Sequence, residues 1–162
     1  MSRSRKLLIL GGTALAVLGM LYGLYYAVFV EHQTLDRMGG SLASAFANAA
    51  ERRGDDSQLA LNAYRKTKYD YVRQVDLHSH WIGLAMLLIV LGVVFDEVAF
   101  AERARFAIAL AMLAGSIVFP LGVILQTVQL APLGSVFAIA GSALVIAALG
   151  ATAVGFVREG AT

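Results

Sequence analysis

Three histidines, His32, His78 and His80, carry the residue type in this 162-residue chain best suited to bind a metal or a haem. Neutral imidazole ligates iron, copper and zinc, and a carboxylate on its second ring nitrogen fixes the tautomer and raises its basicity. His78 and His80 stand in "VDLHSHWIGLAMLLIVLG", where a charged segment gives way to an uncharged run. Asp76, four residues before His80, is spaced to accept a hydrogen bond from that ring on a helix. A helix turns about 100° per residue, so His78 and His80 face different ways and one of them looks inward.

The elements that position these side chains are membrane spans. Hydrophobic residues make up 59% of the chain and charged residues 15%, far from the roughly 25% charge of a soluble domain. Mean hydropathy is +0.72. Residues 7–30 contain no charge, which exceeds the roughly 20 apolar residues needed to cross a bilayer core. That run outlasts a signal-peptide core and no small-residue cleavage site follows it, so an uncleaved anchor is expected. A second run ends at Asp96. Residues 106–157 are uncharged and long enough for two more spans, folded back at "QLAPLGS". The expected fold is all-α: a four-transmembrane-helix bundle in one domain, 1–162, with spans near 7–30, 78–97, 106–128 and 134–157.

Residues 31–77 hold seven basic and seven acidic side chains and read as a helical hairpin between the first two spans. Leu35, Met38, Leu42, Ala45, Phe46 and Ala49 form one apolar stripe. Ala60, Tyr64, Thr67, Tyr71, Val75 and His78 form another, and "ERRGDDSQ" breaks the helix between them. Gly39 and Gly40 are positioned to bend the first arm. Arg3, Arg5, Lys6, Arg103, Arg105 and Arg158 flank the other span ends. By the positive-inside rule this places both termini in the cytoplasm and residues 31–77 outside, at a bacterial inner membrane.

Counting a full span back from Asp96 brings His78 and His80 to the outer boundary, and His32 lies two residues beyond the outer end of span one. All three are expected at one depth, joined there by Gln126 and Gln129 past Pro120, which should kink span three. Gly12, Ala16, Gly19 and Gly23 on span one, and Gly134, Gly141, Ala148 and Gly155 on span four, make small-residue seams that admit close helix packing. Tyr22, Tyr25, Tyr26, Tyr64, Tyr69 and Tyr71 read as an outer aromatic belt with hairpin contacts.

In helix count and histidine depth the outline resembles small four-helix membrane b-type cytochromes. That resemblance implies electron transfer through a haem b held by His32 and either His78 or His80, with Asp76, Gln126 and Gln129 supporting the ligands. A copper or zinc site on the three histidines is the alternative cofactor reading. The rival reading is a non-catalytic structural or assembly subunit of a larger membrane complex, which docks laterally through its glycine seams and holds an outer or periplasmic partner with its charged hairpin. No Asp, Glu, Lys or Arg lies in the middle of any span, which argues against a proton-coupled pump or ion carrier. The chain has no cysteine, which excludes disulfides and thiolate metal sites. Nucleotide-binding glycine loops and nucleophile elbows are also absent, and a formal charge of +2 gives no reason to expect nucleic acid.

Overall fold

A computed structural model of the chain describes residues 1–127 and 130–159, and Gln129 lies outside them. Five α-helices follow in order: α1 Arg3–Phe29, α2 Glu31–Ala50, α3 Gly54–Val94, α4 Glu102–Thr127 and α5 Ala131–Glu159. All except α2 are long and apolar enough to cross a membrane. The chain is therefore an all-α integral membrane protein with four candidate spans and a connecting helix between the first two. Two compact units emerge, one made of residues 1–20 with the chain from residue 77 onward, the other of residues 21–76.

The span unit is built on glycine. α4 packs along α5 with Gly115 and Gly122 facing Gly134 and Gly141. A methyl group at Gly115 would stand 2.8 Å from the Gly141 carbonyl oxygen, and one at Gly134 would stand 2.7 Å from the Gln126 nitrogen and the Gly122 oxygen. At Gly122 and Gly141 it would fall on the backbone of Ala138 and Phe119. In lipid, where burying apolar surface gives helices no reason to associate, such backbone proximity lets dispersion hold them together. α1 meets α3 in the same way: Gly12 faces the Ala85 carbonyl, Gly19 faces Ile82 and Trp81, and Gly92 faces Leu8 and Ile9. Gly12, Gly19, Gly134, Gly141 and Gly155 of the predicted seams thus pack against other helices or connections of the same chain. The core between the helices consists of Leu8, Leu15, Ala85, Leu88, Met112 and Ala148 with Phe95 and Val98 of the α3–α4 connection.

Polar groups in the spans are mostly satisfied locally. Thr13 donates to the Ile9 carbonyl at 2.8 Å and Thr152 to the Ala148 carbonyl at 2.8 Å. Pro120 is buried and α4 continues through it. Four residues earlier, where the proline removes a backbone donor, the fully buried Ser116 hydroxyl makes no hydrogen bond.

In the other unit, α2 follows α1 with a break of one residue at Val30, whose amide still bonds to the Tyr26 carbonyl at 2.9 Å. The helix runs through Gly39 and Gly40 without interruption. It ends where Arg52 takes φ 59, with the Arg53 amide on the Asn48 carbonyl at 2.8 Å and the Arg52 amide on the Ala49 carbonyl at 3.0 Å. This is a Schellman termination, here with arginine at the left-handed position where glycine is usual. Asp55 and Asp56 then occupy the first turn of α3, where the helix dipole favours negative charge. The predicted stripes are partly displaced. Thr34 and Ala45 are the buried residues of α2, while Leu35 is 43% and Phe46 68% exposed. On α3 the inward face runs through Ala60, Tyr64, Thr67, Tyr71 and Gln74, and Val75 is exposed.

Substitution Gly141→Ala should destabilise the protein by about 1–3 kcal/mol through overpacking against Phe119. Gly150→Ala, which meets open space, should be neutral or stabilising by up to about 1 kcal/mol. Thermal unfolding in detergent, followed by circular dichroism, separates the two.

Candidate functional site

The histidines occupy different environments. His78, on α3, is half-buried with Nδ1 3.1 Å from the Gly19 carbonyl oxygen of α1. That acceptor selects the tautomer with hydrogen on Nδ1, so Nε2 carries the free lone pair. His80 is exposed and sets its ring at an edge-on angle of 82° to Phe119, with centroids 5.1 Å apart. Of the pair on α3, His78 is therefore the inward one. His32 belongs to the other unit and is exposed in the first turn of α2. Among the described residues no three His, Cys, Asp or Glu side chains gather into a set able to hold a metal ion. An apolar groove of about 460 Å³ beside α1 and α4, walled by Leu15, Trp81, Leu113 and Leu121, has no histidine in its lining. Gln126 is half-buried near the end of α4, with its backbone against Gly134.

The described residues concentrate polar and aromatic groups in a second place, within the unit of residues 21–76. A pocket of about 210 Å³ is lined by Tyr22, Tyr25 and Tyr26 of α1, Thr34 of α2, and Asp70, Tyr71 and Gln74 of α3, with Val30 at the junction. The positions follow helical spacing. Tyr22 and Tyr26 lie one turn apart and stack at 6.4 Å with planes 19° apart, and Tyr71 and Gln74 share the inward face of α3. The Tyr22 hydroxyl donates to Gln74 Oε1, and Tyr71 donates to Glu31 Oε1 at 3.2 Å. The Glu31 carboxylate beside it pushes the Tyr71 hydroxyl above its ordinary 10.0.

Tyr26 is 8% exposed, and its hydroxyl is buried without a hydrogen bond. The neighbouring Thr34 hydroxyl gives its own proton to the Val30 carbonyl at 2.9 Å and does not meet Tyr26 in hydrogen-bond geometry. Sequence reasoning grouped these tyrosines as a belt and passed over Gln74, Asp70 and Thr34. The available signal was the i, i+4 pair Tyr22 and Tyr26 opposite the i, i+3 pair Tyr71 and Gln74. Tyr64 and Tyr69 lie elsewhere on α3 and take the cations of Lys68 and Arg73 at 5.8 and 5.2 Å.

A third polar assembly ties the amino terminus to the α3–α4 connection inside the span unit. The fully buried Ser4 gives its hydroxyl to Glu102 Oε1 at 2.8 Å and its amide to the same oxygen at 3.2 Å. Arg105 reaches Glu102 at 3.1 Å and the Asp96 carbonyl at 2.7 Å. Ser2 donates to Asp96, which Arg5 approaches at 3.4 Å. Val98 and Phe100 of the connection pack on Gly155, and the Ala99 amide bonds to the Gly155 carbonyl at 3.2 Å.

Glu102 stands before the uncharged run that starts at Phe106. Donation from Ser4, helped by Arg105, holds its carboxyl below the ordinary 4.5 although desolvation opposes this. A carboxyl depressed in the folded state contributes stability that is complete above its unfolded value and is lost as pH falls through the folded one. Thermal stability should therefore decline as pH drops below about 4.5, and Glu102→Gln should flatten that decline in melting curves taken across the acid range.

Comparison with known proteins gives no relative from which a role could be carried over: no protein-family model, curated protein or solved structure matches this chain.

Proposed function

We propose that the chain is a non-catalytic subunit of a larger membrane complex, with its four spans as an anchor and residues 31–77 as an outer arm that binds a protein partner. The observation that carries this reading is the exposure of bulky apolar side chains on an otherwise charged arm: Phe46 is 68% exposed, Leu59 67% and Leu35 43%. Phe46 lies fifteen residues into α2 from Glu31, about 22 Å at 1.5 Å per residue. Large exposed apolar groups in a polar setting mark protein contacts. Ser57 of α3 donates to the Ala45 carbonyl of α2 at 2.9 Å, so Phe46 and Leu59 flank a contact that closes the arm. Arg65, Lys66 and Arg73 on the same arm favour an acidic rim around the partner's apolar pocket.

A photo-crosslinking amino acid at position 46, used in the native membrane, should capture one stoichiometric protein. Phe46→Asp combined with Leu59→Asp should abolish its co-purification while leaving the melting temperature of the purified chain unchanged. Purification as a lone chain under mild detergent, with no specific crosslink, contradicts the proposal.

A second reading, electron transfer through a haem b or through copper or zinc at the outer face, is favoured by one observation. The Nδ1 contact of His78 with the Gly19 carbonyl is the outer-shell arrangement that metal-bound histidines use. It leaves Nε2 as the free ligand atom. The purified protein should then show a reduced-minus-oxidised haem spectrum, or stoichiometric metal, that disappears in His78→Ala. A colourless, metal-free and stable protein contradicts it.

A further inference from the structure

We infer that the tyrosine-lined pocket of residues 21–76 binds an organic ammonium group. The inference is independent of the protein partner proposed above. The pocket is lined by Tyr22, Tyr25, Tyr26 and Tyr71, aromatic rings whose quadrupoles attract cations. Asp70 adds a carboxylate and enters no ion pair among the described residues. A second carboxylate, Glu31, stands behind the Tyr71 hydroxyl at 3.2 Å. No lysine or arginine lines the pocket. Its charge is therefore negative, and its surface is aromatic rather than hydrated.

Tyr26 lines the same pocket and is 8% exposed. An ammonium group is attracted by the aromatic lining and by the Asp70 carboxylate together. An anion is disfavoured by both carboxylates, and a neutral molecule gains nothing from them. The same headgroup chemistry occurs in free amines and in amine-bearing phospholipids.

The full chain in nanodiscs of phosphatidylglycerol, titrated calorimetrically with choline and with ethanolamine, should bind at least one of them saturably. The neutral isostere of choline, with carbon in place of the ammonium nitrogen, should bind about tenfold more weakly or not at all. Asp70→Asn should weaken binding. Repeating the titration in phosphatidylethanolamine nanodiscs identifies the source. Loss of choline binding there means that the lipid headgroup fills the pocket, and unchanged binding means a free amine. Absence of saturable binding of both amines in phosphatidylglycerol, equal binding of the neutral isostere, or full binding by Asp70→Asn would overturn the inference.

Discussion

Backbone contact at glycine is the constraint on which the span unit rests. In lipid a helix has no water to escape from, so two helices stay together only where their main chains come close enough for dispersion to accumulate. Gly115, Gly122, Gly134 and Gly141 provide this between α4 and α5, and Gly12 and Gly92 provide it between α1 and α3. The fully buried Leu8, Ala85, Leu88, Ala109 and Met112 then fill the space that the glycines leave. Van der Waals packing of this kind tolerates few changes of volume. The consequence is a closely packed, stiff span unit.

That stiffness explains how the chemistry is distributed. Among the described residues the interior of the span unit is filled with aliphatic side chains and holds few polar groups, and the buried Ser116 hydroxyl makes no hydrogen bond. Charged groups are confined to the ends. Ser4, Asp96, Glu102 and Arg105 clamp the amino terminus to the α3–α4 connection, and the tyrosines gather in the unit of residues 21–76. Polar clusters among the described residues therefore lie at the span ends and in residues 21–76 rather than along a path through the spans.

Much of the architecture could be read from residue pattern. Uncharged runs located the four spans, the seven-residue repeat from Gly134 to Gly155 located the packing face of α5, and "ERRGDDSQ" located the turn between α2 and α3. Periodicity was less informative on the arm, because an amphipathic stripe says which side is apolar and not whether anything covers it. Leu35 and Phe46 belong to the predicted stripe yet remain exposed, while Thr34 is buried. The tyrosine pocket was illegible for a related reason. Its walls come from three helices, and no local spacing announces that Tyr22 meets Gln74, 52 residues further on. The histidines were legible by type, but the exposure of His80 and the contact of His78 with Gly19 depend on helix rotation that a sequence does not fix.

The central claim is tested most directly by the proximity of the two backbones themselves. Nuclear Overhauser spectra of the isotope-labelled protein in lipid nanodiscs or micelles should show strong cross-peaks between a Gly122 Hα and the Ala138 amide proton, and between a Gly141 Hα and the Phe119 amide proton. Absence of both in a fully assigned, folded sample would contradict backbone contact between α4 and α5, and with it the account of how the spans are held.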